Sequence, residues 1–209
     1  VGSGWSTCTS AGCTLVSGSG ATNPNGIIRQ GQGFLVELLS GITQVEFTNS
    51  MKSNNVANQF FRSANSNDNT SEGDELSSPK DVYWVNLKKG DVILDQILIA
   101  YSDKTTNDFD AAFDGKSFSN YTNKLFTTIE NEKYAIQARS LSSLDKDEIG
   151  LGFEVENATS YIIELDSKLG IFERKSIYIK DLLNNTIHNL SDKAFHFSTI
   201  SGNFSERFK

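Results

Sequence analysis

From Lys80 onward the chain repeats one pattern: short runs of Val, Ile, Leu, Tyr and Phe, punctuated every few residues by Asn, Asp, Gly or Ser. Runs this short suit strands and are too brief for most helices, and the punctuating residues are those that turns require. The spacing between turn signals is roughly 8–12 residues, as antiparallel β-sandwiches show. The expected fold is therefore all-β: an antiparallel sandwich, jelly-roll or immunoglobulin-like, with two packed β subdomains as a variant.

The clearest unit is a hairpin. Val82–Leu87 and Ile93–Tyr101 flank a turn at Lys89, Gly90 and Asp91. Further strands are expected over 133–138, 149–155, 160–165, 176–180, 186–190 and 194–198. In the last, Phe195 and Phe197 alternate with His196 and Ser198, so one face is apolar and the other polar. Helix is expected for a turn or two at most, near Phe118 to Phe126. Scarce Met and Ala agree with that.

Upstream the signals thin out. Residues 1–32 read as loop, then 33–39 and 44–48 read as a strand pair around Gly41. The stretch from Asn65 to Ser78 has almost no apolar side chain. This divides the chain into residues 1–64 as the C-terminal part of a first β subdomain, 65–79 as an exposed linker or loop, and 80–209 as a β-sandwich domain. Val1 is no initiator Met and the chain stops within a strand-like run, so both ends are expected to be cut from a longer protein.

Charge and cysteine content narrow the setting. The 26 acidic side chains outnumber the 19 basic ones for a formal charge of -7, and the lysines are scattered, which argues against nucleic acid and anionic membrane surfaces as partners. No apolar run approaches the roughly 20 residues that span a bilayer, so direct membrane insertion is not expected. Cys8 and Cys13 lie close enough in sequence to close a local disulfide in an oxidising compartment. Zinc would need about four ligands, and the two histidines are far away.

Catalytic constellations are missing from the sequence. Gly31-Gln-Gly33 precedes a strand and lacks a third glycine. No Gly-x-Ser-x-Gly elbow occurs, and His188 and His196 lie on strands without a partner at a recognisable spacing. Glu154 and Glu156 share a strand face, but the intervening Val155 and preceding Phe153 point to the core and leave both carboxylates to solvent. The Asp-rich segment from Asn107 to Gly115 carries two readings. Asp108, Asp110 and Asp114 form a candidate calcium site of oxygen ligands. Alternatively they are turn carboxylates that accept backbone N–H bonds, with Phe109 and Phe113 anchored on the core. Trp5, Trp84, Tyr83 and Tyr121 are the aromatic side chains that a glycan-stacking platform would draw on, with Trp84 assigned to the core by its alternation with Val82.

An ordered series of segments then carries a resemblance. It runs through Ile28–Val36, Val45–Lys52, Asn58–Arg62, Val82–Leu87, Thr106–Lys116, Glu132–Arg139, Gly150–Phe153, Ile177–Leu182, Ile187–Leu190 and Gly202–Phe208. The series resembles a region of secreted Bacteroidetes proteins, chiefly flavobacterial, that lies just upstream of the C-terminal sorting signal of the type IX secretion system. The resemblance covers roughly residues 27–208 and lacks the sorting domain itself. It implies β-sandwich modules, export across the outer membrane, an extracellular or outer-surface location, and no catalytic residues. Proteins of that kind include gliding and adhesin-type surface proteins.

The expected function is thus a non-catalytic β-sandwich module of a secreted cell-surface protein, adhesive or structural, or captured as secretion cargo. The expected partners are other surface or secretion-apparatus proteins. The alternative is a carbohydrate-binding accessory module of a secreted polysaccharide-degrading enzyme, with glycans as partners. No cofactor is expected beyond the calcium alternative.

Overall fold

A computed structural model of the chain describes residues 6–14, 28, 34–36, 38, 41–52, 81–118 and 122–209. The expected linker over 65–79 lies outside the described residues. The all-β, antiparallel expectation holds. β1 (Cys8–Thr9) and β2 (Gly12–Cys13) form a small hairpin, and eleven strands make a second sheet. These are β3 (Asp81–Lys89), β4 (Val92–Ser102), β5 (Gly115–Lys116), β6 (Lys124–Ile129), β7 (Glu132–Ser140), β8 (Leu151–Val155), β9 (Thr159–Leu169), β10 (Tyr178–Asp181), β11 (Thr186–Asn189), β12 (Phe195–Thr199) and β13 (Gly202–Phe208).

The large sheet runs β11-β10-β13-β8-β6-β7-β4-β3-β9-β12, with β5 attached to β7. Every pairing is antiparallel except β4 with β7, which runs parallel from Leu98 opposite Ile136 to Ser102 opposite Ser140. The two strands at the ends of this path, β11 and β12, are neighbours in the chain, joined through residues 190–194. They share no ladder, yet the His188 and Phe195 rings lie 5.4 Å apart. The path therefore bends back on itself into a nearly barrel-shaped body, and its facing layers are the two halves of one sheet.

Phenylalanine fills the closing side. Phe197 of β12 meets Phe153 of β8 at 5.1 Å and Phe208 of β13 at 5.0 Å, and Phe204 stacks on Phe153 at 4.9 Å. Arg207 adds a polar tie across three strands. Its guanidinium pairs with the buried Asp181 of β10 at 3.2 Å, donates to the Ser198 carbonyl of β12, and covers the Phe197 and Phe208 rings. A planar, always-charged guanidinium suits this combination of stacking and forked donation.

Period-2 alternation sends Tyr83, Val85, Leu87, Ile97, Ile99, Tyr101, Leu151 and Phe153 into the interior. The opposite faces of β3, β4 and β7 are buried as well, by a second cluster of Val82, Leu98, Ala100, Ile136 and Ala138. What covers this outer face is the β1–β2 hairpin, whose Ala11 is buried in the same cluster. Trp84 donates its indole N–H to the Cys13 carbonyl at 3.0 Å, and Thr9 donates its hydroxyl to the Phe113 carbonyl. At Gly12, with φ +136°, a Cβ would stand 2.8 Å from Leu98 Cδ1, so glycine is what lets the hairpin settle this close.

Two expectations are corrected. Residues 124–129 are strand β6, whereas the helical turns are short 3-10 segments at Asn49–Met51, Leu141–Lys146 and Gly170–Arg174. Position 126 explains the first: Phe126 lies across the ladder from Gly152, whose hydrogen leaves room for the ring, and cross-strand fit decides the conformation. The second concerns 33–39 and 44–48. Their described residues carry no strand, and Phe34, Leu35, Val36 and Phe47 stay exposed. Strands take their stability from neighbours, and these described residues join no ladder.

Closure by the phenylalanine cluster predicts a large cost for Phe208→Ala. The ring is fully buried, and its loss should lower stability by about 3–5 kcal/mol in denaturant unfolding, far more than a surface substitution.

Candidate functional site

The inward face of the sheet does not fill completely. A cavity of about 320 Å³ remains between β3, β4, β6 and β8 on one side and β10 and the 187–190 segment on the other. Val85, Ile97, Ile99, Leu151, Ile179 and Leu190 form the apolar part of its lining. Exposed Tyr178 and Ile187 also contribute, so the cavity reaches the surface.

Its polar groups are few and almost all engaged. Arg139 forks onto Asp147, with Nε donating to Oδ2 at 2.8 Å and Nη2 to Oδ1, and the Tyr101 hydroxyl donates to the same Oδ2 at 2.8 Å. Burial pushes the Asp147 carboxyl upward, but the Arg139 and Tyr101 bonds outweigh it and hold the group below the usual range. Burial raises both the Tyr83 and the Tyr101 hydroxyl, so both stay neutral. At the rim, Glu148 pairs with Lys209 at 3.0 Å and with Lys180 at 3.7 Å. Thr127 is 1% exposed, lines the cavity, and its Oγ1 has no hydrogen-bond partner.

The residues singled out from sequence fall elsewhere. Cys8 and Cys13 face each other across the β1–β2 ladder and are joined as a disulfide. Closing so short a loop removes about 2 kcal/mol of unfolded-chain entropy in the loop-closure view. Asp110 and Asp114 sit in the connection between β4 and β5. Asp110 Oδ2 accepts from the Thr106 N–H at 2.6 Å and its hydroxyl at 3.1 Å. Asp114 accepts from the Asp110 N–H and the Ala138 N–H, both at 2.7 Å. Asp108 is exposed. Among the described residues no group of three or more His, Cys, Asp or Glu converges as a metal set. Phe113 packs against the outer cluster, while Phe109 is 40% exposed and touches only the edge of the core at Tyr134.

Glu154 pairs with Lys133 at 3.0 Å beside exposed Glu156, away from the cavity. His188 bonds the Lys193 carbonyl and His196 is exposed. Tyr83 is buried and Trp84 is half-buried beneath the hairpin; Trp5 and Tyr121 lie outside the described residues. No reading of the sequence pointed to the cavity or to Thr127. The available signal was a hydroxyl on the inward register of β6, between Leu125 and Ile129, legible only once that segment is a strand.

A family model described as "Domain of unknown function (DUF8693)" matches residues 4–209. No curated protein and no solved structure matches the chain.

Two measurements follow from the carboxylates. Burial raises Asp95 to about 7 and Asp114 to about 6 from an ordinary value of 3.8. A raised folded value contributes stability fully below the unfolded value and loses it as pH rises through the folded one. The melting temperature should therefore fall between about pH 4 and pH 7, and Asp95→Asn, which keeps an acceptor for the Leu125 N–H, should flatten the upper part of that fall. Asp147 and Asp181 work oppositely: both are held below the usual range, so their contribution disappears as the medium is acidified below it. For the Asp-rich connection, backbone donors already occupy Asp110 and Asp114, so melting with calcium and with chelator should give the same midpoint. A chelator-induced drop would assign the loop to calcium.

Proposed function

This chain belongs to the DUF8693 family, and we propose that it is a non-catalytic β module of an exported cell-surface protein, with an adhesive or structural role. The observation that carries the reading is the disulfide-closed hairpin. Cys8 and Cys13 clamp the segment that covers the outer face of β3, β4 and β7, so part of the core is built around a bond that persists in oxidising compartments. The carboxylates and histidines noticed in the sequence support the non-catalytic part, because Asp110, Asp114, Glu154 and His188 are each committed to a structural partner. The type IX route and the surface location rest on the resemblance of the ordered motifs. Partners on this reading are other surface or secretion-apparatus proteins. The glycan-binding alternative finds less support, since Tyr83 is buried and Trp84 is half-buried with its indole N–H tied to the hairpin.

Surface labelling of cells that produce the parent protein tests this directly. The protein should be reachable from outside, its export should stop when the type IX translocon is deleted, and Cys8 and Cys13 should resist alkylation until a reductant is added. A cytoplasmic protein with both thiols alkylated would sink the reading.

A further inference from the structure

We infer that the cavity is a binding site for a free, straight-chain carboxylate of medium length, with its hydrocarbon tail on the aliphatic lining and its anionic head at the two lysines of the mouth. The tail follows from the interior. About 320 Å³ lies at the lower end of ligand pockets. At the ~30 Å³ that one water occupies in the liquid, this corresponds to about ten non-hydrogen atoms, the size of an octanoate. Val85, Ile97, Ile99, Leu151 and Ile179 give that space an aliphatic surface, on which an alkyl chain needs no directional partner.

The head follows from a count of charge. Asp147 is committed to Arg139 and to the Tyr101 hydroxyl. Glu148 is the other carboxylate of the lining, and it serves two ammonium groups, Lys209 at 3.0 Å and Lys180 at 3.7 Å. Three cations therefore share two carboxylates, and the network keeps one positive charge. The Lys180 and Lys209 side chains are 36% and 41% exposed, so an anion reaches them without giving up all of its water. Deeper in, an anion would meet the Asp147 carboxylate, so the head stays at the mouth.

Apolar surface and cation also meet on one face. Lys180 stands opposite Ile187 in the β10–β11 ladder, which sends both side chains to the same side. Tyr178, two residues earlier on β10, projects to that side as well. Ile187 is 70% exposed and Tyr178 58%, and both line the cavity. Apolar side chains held in water beside an ammonium group are what an amphiphile covers when its tail enters and its head stops at the charge. The formal charge of -7 opposes docking on an anionic bilayer, which leaves the free acid as the occupant.

The test is a titration of the full chain with octanoate at low ionic strength, read by calorimetry and by methyl chemical shifts, with octylammonium and acetate as controls. Octanoate should bind saturably, with a Kd on the order of 100 µM for a ligand this small, and should move the methyl signals of Ile97, Ile99 and Ile179. Octylammonium should bind at least about fivefold more weakly, and acetate, a head without a tail, should leave those methyls in place. Glu148→Gln releases both ammonium groups, so octanoate should bind about 2- to 5-fold more tightly, the worth of one exposed ion pair. Lys180→Gln combined with Lys209→Gln reverses the sign of the mouth. Octanoate should then weaken about tenfold, and octylammonium should become the tighter of the two. All three side chains are at least one-third exposed, so these variants retain the fold. Absence of saturable octanoate binding, interior methyls left unmoved, octylammonium as tight as octanoate, or a Glu148→Gln variant no tighter than wild type would each overturn the assignment. Flotation of the chain with phosphatidylglycerol vesicles would assign the mouth to a lipid surface and overturn it as well.

Discussion

The structure depends on one bend: the return of β12 onto the opposite end of its own sheet. An open sheet of eleven strands would expose two edges and a broad apolar face to water, both routes to aggregation. Here the connection through residues 190–194 holds the end strands together covalently, and the Phe153, Phe197 and Phe208 rings fill the space between them. Ring pairs at these separations contribute beyond their buried area. The Arg207–Asp181 pair sits under them with side chains 9% and 0% exposed. Removing one partner would strand a buried charge, so the pair fixes strand order as well as adding energy.

The bend also explains why β3, β4 and β7 are apolar on both faces. Their inner face belongs to the closed interior, and their outer face is covered by a hairpin that starts about seventy residues earlier in the chain. That hairpin is too short to fold alone, and the Cys8–Cys13 bond compensates. Interior, outer cluster and disulfide are thus one mechanical unit, and the cavity is what the curvature leaves inside it.

Much of the fold was legible from local pattern. The turn at Gly90 and the alternation at Phe195 to Ser198 were readable because hairpins and half-buried strands carry short-range signals. Ile97 to Ala100 was readable as a strand, but what covers its second face was not, because Ala11 and Gly12 reach it only through tertiary docking. Residues 186–190 and 194–198 were both recognised as strands, yet nothing local says that these sequence neighbours refuse to pair and sit at opposite ends of the path. Residues 124–129 carry Lys, Thr and Phe without clean alternation, since the outward Phe126 is buried under Lys133 and over Gly152. With that strand unassigned, Thr127 had no face, and the cavity could not be anticipated. The disulfide and the structural use of the Asp-rich segment rest on short spacing, so both readings could be framed before the fold was known.

Closure of the sheet is the claim on which interior and cavity both stand, and ring-to-ring nuclear Overhauser effects measure it in solution. The account predicts strong cross-peaks from Phe197 to both Phe153 and Phe208, and from Phe195 to His188. A spectrum in which Phe197 and Phe195 show contacts only to their β9 ladder partners would mean an open sheet, and would contradict it.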